Sequence, residues 1–170
     1  MRLPLFQVDA FADRPFFGNP AAVVPLEQWL PDGIMQSIAL ENNLAETAFL
    51  VPGPEAWRIR WFTPELEMDL CGHATLASAF VAFTELGHPG GSIRFDSQSG
   101  PLQVDRRGDL LVLDFPSRPP APCEIPVGLF EALGLAPREL ARSRDHFVVL
   151  DSEAEVAALK PDFSALDKVD

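Results

Sequence analysis

The sequence predicts an α+β fold in which a mixed sheet rolls around one central, buried helix. Three observations carry this. From Gly72 to Leu86 the pattern is helical, only Glu85 is charged (His counted neutral), and Leu76, Ala77, Ala79, Phe80, Val81, Ala82 and Phe83 spread around nearly the whole circumference. A helix apolar all round is a buried helix, and at this length it is too short to cross a bilayer. Residues 44–51 read as a strand whose two alternate sets, Leu44/Glu46/Ala48/Leu50 and Ala45/Thr47/Phe49/Val51, are both mostly apolar, so both faces are expected to be covered. Short strand segments on either side of the helix then supply the sheet that encloses it.

Taken in order, residues 3–11 form the first strand. Phe17-Gly18-Asn19-Pro20 is turn chemistry, with proline restricting the residue before it. Ala21–Leu26 resumes a strand. Pro31 opens a helix that runs to Asn42, with Ile34, Met35, Ile38 and Leu40 on or near one face. After the 44–51 strand, Trp57–Phe62 alternates Trp57, Ile59 and Trp61 with Arg58, Arg60 and Phe62. Gly87 stops the central helix and Pro89-Gly90-Gly91 forms the loop beyond it. Strands follow at Ser92–Asp96, Leu102–Arg106 and Leu110–Phe115, the last two joined through Arg107-Gly108-Asp109. Five prolines between Pro116 and Pro126 mark a stiff linker. We place a boundary there: residues 1–118 as an N-terminal catalytic lobe, and residues 119–170 as linker and incomplete start of a second lobe. That second part holds a short helix (Val127–Leu135), a strand (His146–Leu150), a second helix (Ser152–Leu159) and a weakly patterned tail. It is too poor in large apolar groups to hold a core of its own.

The bulk composition excludes several functions. The chain has 170 residues, 47% of them hydrophobic, and a net charge of −12 from 25 acidic and 13 basic side chains. Such a surface repels phosphate backbones and anionic lipid heads, so neither a nucleic acid nor a membrane is an expected partner. The first residues lack the apolar run of a secretory signal. Cys71 and Cys123, the two cysteines, fit no disulfide framework. A cytoplasmic setting is expected. No phosphate loop or dinucleotide fingerprint is present, and no cofactor is expected.

The chemistry concentrates in two places. Glu46 sits among apolar neighbours, where lost hydration raises a carboxyl pKa toward neutrality, as a general acid/base requires. The alternative is a glutamate in water at the strand's mouth. Asp69, Cys71 and His73 crowd the entrance of the central helix, where free N–H groups and a partial positive charge can receive a carboxylate or a developing enolate. Gly72 admits close approach to its backbone. His73 in the first turn favours neutrality. The alternative is that Asp69 caps the helix and His73 is an ordinary half-buried imidazole. Cys71 reads either as an activated thiol or as a small hydrophobe. The spacing of Asp69, Cys71 and His73 matches no metal motif. Ser97-Gln98-Ser99-Gly100 and Gly18-Asn19-Pro20 are turns that could also line a pocket with hydroxyls and amides.

These segments together resemble the PhzF family of phenazine-biosynthesis-like isomerases. The resemblance is carried by Phe6–Phe11, Gly18–Ala21, Leu44–Phe49, Phe62–Pro64, Asp69–Thr75 and Ser99–Leu102. It implies a diaminopimelate-epimerase-like fold of two related lobes, each a sheet rolled around a helix, with the site in the cleft between them. It implies a cofactor-free isomerase that moves a proton on a small carboxylate-bearing substrate in a biosynthetic process, with a homodimer as an accompanying expectation. It places the proton-transferring group on Glu46 and a substrate-contacting histidine on His73. It puts Gly72 beside them; Ala74, Asp69, Cys71, Asn19 and Ser99 are expected as further substrate-binding positions, and no metal ligands are expected. In related cysteine-based racemases a thiol stands where Cys71 stands. Family members are longer, and their second lobe has its own helix entrance. On this reading the second lobe is incomplete here, and the chain is a fragment, a truncated gene product, or a half-site or assembly module that needs a second lobe or chain.

Overall fold

The computed structural model describes residues 2–14 and 16–169, which divide into two compact units, Met1–Pro116 and Ser117–Asp170. The first unit is built on β1 (Phe6–Ala10), β2 (Asn19–Pro25), α1 (Asp32–Asn42), β3 (Glu46–Val51), β4 (Trp57–Phe62), β5 (Glu67–Met68), α2 (Gly72–Thr84), β6 (Ser92–Ser97), β7 (Gly100–Arg107) and β8 (Leu110–Asp114). Seven of these strands form one path, β1-β2-β3-β4-β6-β7-β8, and β5 pairs with β4 beside it. The sheet is mixed: β2–β3 and β4–β6 are parallel and the other pairs antiparallel. Helix α2 packs against β2 and β3 and also against both ends of the path, β1 and β8. The sheet therefore curls around it as a half-barrel.

The side-chain alternation of the strands produces two cores. On the concave face, Ala21 and Val23 of β2, Ala48 and Leu50 of β3, and Trp57, Ile59 and Trp61 of β4 close on Ala74, Ala77, Val81 and neighbouring residues of α2. The convex-face residues Val24, Phe49, Val51 and Phe62 pack on Met35 and Ala39 of α1. All six residues of β3 are buried, because α2 covers one face and α1 the other. The small side chains of α2 let the helix lie close to the sheet. Asn43 takes a left-handed conformation (φ 51°) and ends α1 with its amide on the Ala39 carbonyl.

Two expectations need correction, and one element went unforeseen. The buried stripe of α1 is Met35 and Ala39 with Ile38 partly covered, whereas Ile34 and Leu40 face water. The face runs i, i+3, i+4, which excludes positions 34 and 40. Helix α2 is not enclosed on every side: Phe80 is 45% exposed, at a groove lined also by Val8, Phe11, Leu76 and Leu110 between the unpaired edges of β1 and β8. Finally, the two-residue strand β5 lies in a stretch too short to show a period, and the sequence did not reveal it.

The second unit carries β9 (Ala121–Pro122), α3 (Leu129–Leu133), β10 (Glu139–Arg142), β11 (His146–Val149), α4 (Glu153–Ala158) and α5 (Phe163–Leu166), with its strands ordered β11-β10-β9. Among its described residues only Leu129 and Ala132 are buried. Ser152 and Asp162 cap α4 and α5 by accepting from the Glu155 and Ala165 amides.

Phe49 is fully buried, with its ring edge-on to Phe62 at 5.6 Å between centroids. Phe49→Ala is expected to lower unfolding free energy by about 3–5 kcal/mol, read by urea denaturation. Phe163→Ala, at a side chain 76% exposed, is expected to change it by less than ~0.5 kcal/mol.

Candidate active site

Glu46 is the first residue of β3, in parallel register with Ala21 of β2. Strand alternation puts it on the same face as Ala48 and Leu50, the face that α2 covers. It is 8% exposed. Burial pushes its pKa up to about 7, against a smaller downward pull from a hydrogen bond with the Cys71 side chain. Its Oε2 is buried and has no hydrogen-bond partner. The carboxyl group is therefore desolvated, held by a single thiol, and poised to exchange a proton near neutral pH.

Cys71 occupies the N-cap of α2 in extended conformation, and no side chain caps this terminus with a hydrogen bond. The Ala74 and His73 amides face the sulfur and pull its pKa down. Burial and the charge of Glu46 outweigh them and drive the thiol to about 12. At neutral pH Cys71 is therefore a protonated S–H that can donate to the Glu46 carboxylate, not a thiolate. Its sulfur lies 3.4 Å from His73 Nδ1. Burial lowers the His73 pKa, and the Pro20 carbonyl pulls it partway back, so the ring is neutral at pH 7. His73 Nε2 is buried without a partner. Glu46, Cys71 and His73 thus form one contiguous chain of exchangeable groups at a helix N-terminus.

The remaining expected site residues fall around this chain. Gly72 starts α2, and a Cβ built on it would stand 3.6 Å from the Phe115 ring. Ala74 is fully buried and contributes its amide rather than its side chain. Asp69 does not cap α2. Its backbone carbonyl accepts a 2.9 Å hydrogen bond from Ser99 Oγ, and its Oδ2 lies 3.4 Å from the same hydroxyl. Ser99 thereby joins the β6–β7 turn to the helix entrance. Asn19 is exposed at the first position of β2, opposite Ala10, and it is the next residue, Pro20, whose carbonyl lies against His73. Pro20 belongs to the Gly18-Asn19-Pro20 turn expected as a pocket lining, whereas sequence reasoning missed Phe115. The alternation of Leu111 and Leu113 along β8, continued by Phe115 just past its end, was the available signal for it. Among the described residues, no three His, Cys, Asp or Glu side chains converge in a way that could hold a metal ion. No described helix is long and apolar enough to cross a membrane.

Known proteins resemble the chain over nearly its whole length. The family described as phenazine biosynthesis-like protein (PhzC-PhzF) matches residues 8–170. An uncharacterized isomerase of Pseudomonas aeruginosa is 55% identical over 166 residues, which cover 98% of this chain and 64% of the relative. An uncharacterized isomerase of Halalkalibacterium halodurans is 44% identical over 174 residues, covering 100% of this chain and 65% of the relative. The crystal structure of a PhzF-family phenazine biosynthesis protein from Enterococcus faecalis matches with a TM-score of 0.90 at 50% identity, over 100% of this chain and 65% of that one. The chain thus spans 64–65% of the length of these curated relatives.

The state of Glu46 can be titrated directly. Its folded-state carboxyl keeps a proton up to about pH 7, while an unperturbed one releases it near 4.5. Between those values the native chain binds more protons than the unfolded chain, so Glu46 makes stability fall as pH rises through the window. Glu46→Gln is expected to be neutral near pH 4 and stabilising by on the order of 2 kcal/mol at pH 8, measured by urea denaturation at both pH values. The Glu46 carboxyl carbon is expected to titrate by NMR with a midpoint near 7.

Proposed function

The chain belongs to the phenazine biosynthesis-like (PhzC-PhzF) family, and from that premise we propose that it carries the acid/base half of an isomerase acting on a small carboxylate-bearing substrate. The observation that carries this reading is the desolvated Glu46 carboxyl next to the uncapped N-terminus of α2. Ionised Glu46 removes a proton from a carbon next to a carbonyl or carboxylate. The C–H electron pair moves onto the carbonyl oxygen to give an enolate. The backbone at Gly72–Ala74 supports that negative charge through the N–H groups of the first helical turn. Protonated Glu46 then returns the proton to a different carbon, or to the opposite face, so atoms and charge balance with no cofactor.

His73 is proposed to orient the substrate through its unpartnered Nε2, and Cys71 to tune Glu46 through its S–H. A racemase driven by a Cys71 thiolate sits poorly with a thiol driven to about 12. A half-site module, completed by a further lobe or chain, is the second reading. The open apolar groove beside Phe80 favours it, and light scattering tests it: a strictly monomeric chain counts against closure by a second copy. A cytoplasmic location accompanies the first reading.

Solvent-deuterium incorporation into candidate 2-oxo and unsaturated carboxylates is the test. In D₂O, with a full-length protein containing this sequence, Glu46→Gln is expected to lose about 10²–10⁴-fold in exchange rate. Cys71→Ser is expected to keep the rate within about tenfold, whereas a thiolate mechanism would lose it entirely. Wild-type exchange by Glu46→Gln overturns the assignment.

A further inference from the structure

On the convex side of the sheet, outside the proton-transferring groups, lies a charged clasp. The Arg60 guanidinium grips Glu67 with two hydrogen bonds, Nε to Oε1 at 2.7 Å and Nη2 to Oε2 at 2.6 Å. The two side chains are only 19% and 23% exposed. Glu67 Oε1 also accepts from Gln98 Nε2 at 2.8 Å. The third guanidinium nitrogen, Nη1, reaches Asp32 at the start of α1, 2.8 Å away.

Position makes this clasp more than surface decoration. Glu67 is the first residue of β5, and the chain runs from there through Asp69 to the Cys71 cap and α2. Strand β5 pairs with β4 over only two residue pairs, Trp61–Met68 and Phe62–Glu67. So short a ladder holds a strand weakly. Neighbouring residues of the β6–β7 turn grip alternate residues of this segment: Gln98 holds Glu67, and Ser99 holds Asp69. The turn itself is braced by Ser97, whose hydroxyl donates to the Gly100 carbonyl and accepts from the Ser99 amide. A bidentate arginine–carboxylate pair adds geometric specificity as well as energy. In a partly exposed setting its share of global stability is small, so its main effect is on where the segment lies.

We propose that Arg60 is a positioning residue: its two-pronged grip on Glu67, shared with Gln98, fixes the Asp69–Cys71 segment and thereby the placement of the α2 entrance against Glu46. The proposal rests on the proton-transfer reading for its consequence, but its test needs no turnover. In a Cys123→Ser background, alkylation of Cys71 by iodoacetamide and the NMR signals of the Gly72–Ala74 amides report the entrance directly. Arg60→Met is expected to speed Cys71 alkylation at least tenfold and to broaden or shift those three amides, with the Ala39 amide of α1 unchanged. Gln98→Ala, at an exposed turn, is expected to do the same to a smaller degree, and Gln98→Lys, which restores a donor to Glu67, to return both readouts toward wild type. If Arg60→Met does not fold, the two Gln98 variants decide. Wild-type alkylation and unshifted Gly72–Ala74 amides in the folded variants overturn the proposal, as does failure of Gln98→Lys to rescue. Deuterium exchange that survives Glu46→Gln would instead sink the catalytic reading and leave this result standing.

Discussion

The arrangement depends on a carboxyl group largely withdrawn from water. Glu46 begins a strand covered by α2 on one face and α1 on the other, so its side chain must enter the concave core beside Ala48 and Leu50. Burying an ionised carboxylate there is costly, and the group responds by holding its proton. The hydrogen bond it gains from the Cys71 thiol is too weak to reverse that shift. The same burial, helped by the neighbouring Glu46, keeps the Cys71 thiol protonated, although helix N-termini ordinarily favour the thiolate.

The second constraint is where α2 begins. Its N-cap residue, Cys71, makes no side-chain cap hydrogen bond, and the Asp69 carbonyl two residues earlier is held by Ser99. A helix N-terminus carries a field that favours an anionic ligand. The segment leading into α2 is short and irregular. It is held from outside by Ser99, Gln98 and Arg60 rather than by a long ladder. A site of this kind uses the barrel for burial and the neighbouring turn for alignment.

Much of this was legible in the sequence, for identifiable reasons. Two-sided apolarity marked β3, and it also put Glu46 in apolar company. The apolar circumference of residues 76–83 marked α2 and the curled sheet. What the sequence concealed depends on contacts between distant residues. The capping role of Asp69 was one open reading, because nothing in the chain announces that Ser99, thirty positions on, holds it. Cys71 stayed open between thiolate and hydrophobe because helix position and depth push its pKa in opposite directions, and only the fold shows that burial prevails. The exposed side of α2 at Phe80 was hidden because periodicity cannot reveal that β1 and β8 remain unpaired. The Arg60–Glu67 pair, seven residues apart, needed the β4–β5 register to be seen.

The most direct measurement is neutron diffraction from crystals grown in D₂O near pH 6. A deuteron is expected on the Glu46 carboxyl group and a second on Cys71 Sγ, with the Glu46 side chain directed toward the entrance of α2. A bare Glu46 carboxylate turned toward bulk solvent, or a deprotonated Cys71 sulfur, would contradict this expectation.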